Sequence, residues 1–258
     1  MALQKTAEEI ERMAAGGLLL SQALFAAVSL AKPGASVREL DDAAETSLRQ
    51  NGATPSFKGY RSYPDDRPFP STVCASLNEE VVHGSGRRSR CLKEGDVVSL
   101  DIGCWYEGLC TDMAVTVAIG QVSQEINDLI LATRAALLAG VGAVKAGGEV
   151  KDISASVENT IRPYGYGIVR ALVGHGVGHA VHENPHIPNF VDRHAPNIRL
   201  IEGMCLAIEP MIVLGKYHVV TSDDGWTVQT ADGKSAAHFE VTVAVTKEGS
   251  RILTPLPV

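Results

Sequence analysis

Apolar residues crowd the stretch from Gly16 to Ala31, where Ser21, Gln22 and Ser29 break the run. Just upstream, Thr6-Ala-Glu-Glu9 has the spacing of a capping box, in which a hydroxyl and a carboxylate each accept from the other residue's backbone N–H. A helix from this cap to Ala31 is predicted, stopped by Lys32-Pro33-Gly34, with the apolar run as its buried face. The run is too short to span a bilayer, and Glu8, Glu9 and Glu11 precede it where a secretory leader carries positive charge. Ser36-Val-Arg-Glu39 opens a second helix ending near Asn51-Gly52. By contrast, Asp96 to Gly103 and Leu109 to Ile119 alternate with β-branched residues, which predicts a hairpin connected through Trp105 to Gly108. Folded about Tyr106 and Glu107, it sets Asp101 opposite Asp112, both carboxylates on one face.

The pattern repeats. Shifted by 113 positions, Lys32, Gly34, Val37, Glu45, Arg49 and Gly52 meet Lys145, Gly147, Val150, Glu158, Arg162 and Gly165. Shifted by 108, Leu92-Lys-Glu-Gly95 ahead of Asp101 meets Leu200-Ile-Glu-Gly203 ahead of Glu209. Two related halves, about 6–120 and 121–250, within one domain spanning 1–258 are the simplest reading, with a concave site at their junction. The expected class is α/β (α+β): a curved antiparallel sheet and two helix pairs.

Charge and cysteine content narrow the function. A net charge of −7 without a basic stripe argues against a nucleic-acid surface, and Arg87-Arg88-Ser89-Arg90 reads as a solvated loop. The 5 cysteines lack C-x-x-C spacing, which suits reduced thiols in a cytosol; Cys104 and Cys110 flank the hairpin tip, where they could approach one another.

Asp101, Asp112, His175, Glu209 and Glu240 are the candidate metal ligands. Asp101, Glu209 and Glu240 follow apolar stretches such as Val97-Val-Ser-Leu100, where an uncompensated carboxylate is costly to bury. Oxygen donors with a single imidazole suit a pair of hard or borderline divalent ions, manganese, iron, cobalt or zinc, and the chemistry of metal-assisted hydrolysis.

Asp101-Ile-Gly with Thr111-Asp112, Gly174-His175-Gly-Val-Gly178, His182-Glu183-Asn184-Pro185, Glu209-Pro210-Met211 and His238-Phe239-Glu240 follow one another in an order that resembles the methionine aminopeptidases. Asn78 to Gly84 and Asp224-Gly-Trp226-Thr-Val228 extend the resemblance from about Thr6 to Gly249. No long insertion separates His175 from Glu209 and no zinc-binding extension precedes the helix, as in the compact bacterial type I form. The resemblance implies a pseudo-two-fold "pita-bread" fold and removal of N-terminal methionine from nascent chains with a small second residue. It further implies a monomer in the cytoplasm, near the ribosome and away from membranes. By the same resemblance Asp101 binds one ion, Asp112 and Glu240 bridge both, and His175 and Glu209 complete the other; Glu209 also carries a proton. His83 and His182 contact the substrate, His182 as donor to the scissile carbonyl oxygen. Phe57, Tyr60, Phe69, Cys74, Val181 and Trp226 match the methionine pocket.

The chain departs from the family pattern in three places. Arg61 to Pro68 is longer than the usual loop at the pocket rim, His238 stands where Gln is frequent, and Val241 where His is frequent. His238 is expected on the same side of its strand as Glu240, tuning the metal from behind the ligands. A proline dipeptidase or aminopeptidase of the same fold would share the five ligands, and a non-catalytic binding module would share the fold. The Asn78 to Gly84 stretch, the Trp226 motif and the compact length favour methionine.

Overall fold

The computed structural model describes residues 4–61 and 63–257; Ser62, in the long loop, lies outside them. Both capping boxes form. Thr6 Oγ1 accepts from Glu9 N at 3.2 Å while Thr6 N donates to Glu9 Oε2 at 2.7 Å, starting α1 (Ala7–Leu30). Ser36 and Glu39 repeat those bonds at 3.2 and 2.7 Å and start α2 (Val37–Gln50). Caps of this kind contribute about 1 kcal/mol each. The second pair is α3 (Gln124–Ala143), capped by Ser123, and α4 (Val150–Ile161).

At 24 residues α1 is longer than its apolar run, and α1 and α3 are both long and apolar enough to cross a membrane. Each nevertheless has a side turned into the protein: Met13, Leu20, Leu24 and Ala27 of α1 and Leu129, Ala136 and Leu137 of α3 are fully or almost fully buried. Each such leucine contributes about 1.5–3 kcal/mol.

The two helix pairs meet their sheets through the same bonds. Gly34 N donates to Leu92 O at 2.8 Å and Gly147 N to Leu200 O at 2.9 Å; Val37 N reaches Arg90 O at 3.0 Å and Val150 N reaches Ile198 O at 2.9 Å. The partners are related by the shifts of 113 and 108 read from the sequence.

Among the described residues the largest sheet has nine strands. Through its middle run, in antiparallel contact, Val97–Tyr106, Leu109–Ala118, Glu240–Val245, Cys205–Ile208, Gly174–Gly176 and Glu183–Ile187. Asp101, Asp112, His175 and Glu240 lie on these strands, and Glu209 follows directly after one. One smaller sheet joins Gly167–Ile168, Met211–Val213 and Ala236–His238; the other joins Glu80–Val82, Val219–Thr221 and Val228–Thr230.

Three expectations need correction. The hairpin turns on Glu107 and Gly108, with φ of 46° and 80°, so that Tyr106 faces Leu109. Two successive residues at positive φ match the right-handed twist of the paired strands, which favours this tight turn over a longer connection. Register therefore sets Asp101 against Ala114 and Asp112 against Gly103: the carboxylates share a face but sit diagonally. Cys104 pairs with Thr111 and Cys110 with Trp105, which points the two thiols to opposite faces, and all five cysteines are free. Arg87, Arg88 and Arg90 are not a solvated loop. Arg87 pairs with the fully buried Asp41 at 2.7 Å, and Arg88 and Arg90 pair with the buried Glu80 at 2.6 and 3.0 Å.

Candidate active site

Local constraints aim each polar side chain of the site. His175 lies between Gly174 and Gly176 because a Cβ at Gly176 would fall 2.2 Å from Asn184 O; only bare backbone fits between the neighbouring strands. The His175 Nδ1–H donates to Gly176 O at 2.9 Å, which leaves the Nε2 lone pair free to ligate. Thr242 brackets Asp112, its Oγ1 accepting from Asp112 N at 2.9 Å and donating to Asp112 O at 2.8 Å. Thr116 does the same for His238, accepting from its N at 2.8 Å and donating to its O at 2.7 Å. Asn189 donates to Glu209 O at 2.9 Å. His83 takes the left-handed region at φ 61°, a conformation uncommon outside glycine. Arg88 ties together the two segments that lead up to it, donating to Ala75 O at 2.7 Å and to Glu80.

The segment carrying Val181 and His182 is tied down by Glu183, which accepts from Ala180 N at 2.9 Å and from the fully buried Lys5 at 2.5 Å. Lys5, Thr116, Asn189 and Thr242 were not anticipated. Thr242, two residues from Glu240 in an alternating strand, carries a signal of facing the same way. Lys5, 178 positions from its partner, carries none.

These side chains meet in one cleft of about 610 Å³, counting space open to solvent. Asp101, Asp112, His175, Glu209 and Glu240 line one part of it; Phe57, Tyr60, Phe69, Cys74, Val181 and Trp226 line another, with His83 and His182. Phe69 and Trp226 meet edge to face at 5.4 Å. His238 is not part of the lining. At Phe239 the chain passes from one sheet to another, so His238 and Glu240 are not alternate positions of a single strand. The imidazole still reaches the site, its Nε2 lying 3.7 Å from Glu209 Oε2 and 3.8 Å from Glu240 Oε2.

Donor atoms of Asp112, His175 and Glu240 lie within 4.8 Å of one another, as do those of Glu209, His238 and Glu240. His175 Nε2 is 3.4 Å from Glu209 Oε1, a separation suited to two ligands of one ion. Burial drives the electrostatics. Desolvation pushes Asp101 up to about 7, and desolvation together with neighbouring carboxylates raises Asp112, Glu209 and Glu240 well above the usual carboxylate range. Desolvation pulls His83 down to about 4 and His175 and His238 to about 3, so all three are neutral at physiological pH. Asp101 Oδ1, Asp112 Oδ1, Glu240 Oε1 and both ring nitrogens of His238 are buried without a hydrogen-bond partner among the described residues. Unpaired buried polar atoms are costly, and a divalent cation is the partner this oxygen-rich donor set fits.

The profile of metallopeptidase family M24 matches residues 11–247. The methionine aminopeptidase of Clostridium acetobutylicum is 42% identical over 254 residues, 98% of this chain and 99% of its own. Methionine aminopeptidase 1 of Mycobacterium tuberculosis is 43% identical over 259 residues, covering 97% of this chain and 94% of its own. The crystal structure of methionine aminopeptidase from Thermotoga maritima superposes with a TM-score of 0.92 at 37% identity, covering 98% of this chain and 99% of that one. Prolidase from Pyrococcus furiosus, at 24% identity and a TM-score of 0.78, shares the fold; the match covers 98% of this chain and 65% of that one. The arrangement is the pita-bread fold, and the chain belongs to metallopeptidase family M24, among its methionine aminopeptidases.

Proposed function

We propose that this cleft removes the N-terminal methionine from peptides and nascent proteins with a small second residue, using two divalent cations. The observation that carries the reading is one cleft combining four desolvated carboxylates and a neutral, Nε2-free histidine with an apolar aromatic lining. Asp101, Asp112, His175, Glu209 and Glu240 would hold the cations. Manganese, iron, cobalt and zinc all suit such donors. Cations bound there would supply Lewis acidity and a more acidic water.

The remaining work falls to the chain itself. The Glu209 side chain keeps 12% of its surface open and accepts and returns a proton. His182, at the mouth of the cleft, donates to the scissile carbonyl oxygen as charge develops there, and His83 orients the substrate. Phe57, Tyr60, Phe69, Cys74, Val181 and Trp226 enclose the flexible methionine thioether. His238 stands behind Glu209 and Glu240, its Nε2 3.7 and 3.8 Å from their carboxylates, and tunes the metal from there. The chain acts as a cytoplasmic monomer on polypeptides leaving the ribosome, one domain whose halves share the cleft. The repeated helix-to-sheet bonds support the two-halved domain, and the five free cysteines suit a reducing compartment.

The test is cleavage of Met-Ala-Ser, Ala-Pro and Xaa-Pro-Yaa peptides by chelated protein refilled with one metal at a time. Turnover of Met-Ala-Ser alone, and only with metal, is expected. Preference for either proline substrate would overturn the reading in favour of a prolidase-like activity.

A further inference from the structure

The Tyr60 hydroxyl lies 2.9 Å from His182 Nδ1, and the two rings meet edge on with centroids 5.4 Å apart. We infer that Tyr60 is the positioning residue of His182: its O–H donates to Nδ1 and confines the imidazole proton to Nε2. This inference rests on the reading of His182 as the donor to the substrate carbonyl.

A neutral imidazole has one N–H and one bare nitrogen, and the partner of one nitrogen decides what the other can do. If Nδ1 carried the proton and the tyrosine oxygen accepted it, Nε2 would be an acceptor, useless to a carbonyl oxygen. Tyr60 is suited to donating. Desolvation raises its pKa above the usual phenol value, so it keeps its proton and has it to give. Among the described residues, the Tyr60 hydroxyl has no other hydrogen-bond partner and His182 Nε2 has none.

The backbone fixes where the hydroxyl sits. Tyr60 N donates to Phe57 O at 2.8 Å, and Phe69 N donates to Tyr60 O at 2.8 Å, closing the base of the long loop. Tyr60 is thereby held from both sides before any substrate arrives. A donor whose tautomer is set in advance needs no reorganisation when charge develops.

The experiment uses the whole protein with ¹⁵N-labelled histidine, refilled with zinc, and reads the tautomer of His182 from its ring nitrogen signals, assigned by their loss in His182→Ala. The wild type should show the Nε2–H form, and Tyr60→Phe, which keeps the ring, should show a mixture of both forms. In steady state Tyr60→Phe should lower kcat about tenfold, the effect of one net hydrogen bond, with KM within about twofold. In the His182→Ala background the same change should cost nothing further, because its route of action is gone. An Nδ1–H tautomer in the wild type, or an equal loss from Tyr60→Phe in both backgrounds, would overturn the proposal. Normal turnover in His182→Ala would instead sink the assigned role of His182, while the tautomer measurement still decides whether Tyr60 sets the ring.

Discussion

At the scale of single residues, the buried carboxylates make the sharpest demand. Asp112 and Glu240 are 2% and 3% exposed, and each carries an oxygen without a partner. Replacing either with alanine removes a ligand and also relieves repulsion among like charges, so the fold should survive while bound metal and activity are lost. Turnover should fall by more than the roughly 100-fold that groups behind a ligand cost when mutated. Metal analysis and Met-Ala-Ser cleavage check this together, and near-normal turnover of either variant would rule the ligand assignment out. His182→Ala should behave differently, keeping its metal and losing about 10²-fold in kcat. Loss of metal in that variant would make His182 a ligand instead. Much of the site is legible at this scale because ligand types inside apolar runs are costly without a cation. Lys5 with Glu183, and Tyr60 with His182, were not legible: partners 178 and 122 positions apart leave no local pattern.

At the scale of elements, the capping boxes of α1 and α2 and the shifts relating the helix pairs could be read directly, because caps and turns are short-range physics. Register was harder. Alternation fixes which face a strand buries but not where a hairpin turns, and Glu107, a non-glycine residue at φ 46°, gives no compositional warning of a tight turn. The Arg87 to Arg90 cluster misled for a related reason, since the buried acids it meets, Asp41 and Glu80, lie on other elements. The long loop from Arg61 to Pro68 is pinned at its base by Gly59 N to Phe69 O and Phe69 N to Tyr60 O, both 2.8 Å. Its tip is folded on itself by Tyr63 N to Asp66 Oδ2 at 2.7 Å, and Asp66 and Arg67 border a hollow with Trp226. Such a rim should meet the substrate beyond its first residue. Shortening the loop by about six residues while keeping Tyr60 and Phe69 should therefore change kcat/KM unequally among Met-Ala, Met-Gly, Met-Thr and Met-Val peptides, with metal content unchanged. A uniform effect, or none, would reduce the loop to a passive surface feature.

At the scale of the whole molecule, the same cluster ties folding to metal and pH. In metal-free protein Asp101 rises from 3.8 to about 7, and Asp112, Glu209 and Glu240 also titrate well above the carboxylate range, chiefly through burial. The folded state then holds protons that the unfolded chain has released, so these groups make stability fall as pH rises. The histidines act the other way. His83, at about 4, and His175 and His238, at about 3, refuse protons that an unfolded histidine takes up around and below 6.5, so their contribution grows as pH rises through 6.5 and is complete about one unit above it. Up to about pH 7.5 the two sets oppose one another, with four carboxylates against three histidines; above it the carboxylates act alone. The melting temperature of chelated protein should therefore decline from pH 6.5 to about 8, before thiols titrate appreciably. Saturating manganese should abolish the decline, because a cation favours the ionised carboxylates that burial disfavours. Thermal melts across that range, with and without metal, test the coupling. A chelated protein whose stability stays level or rises over this window would mean that the four carboxylates are not a desolvated cluster awaiting a cation.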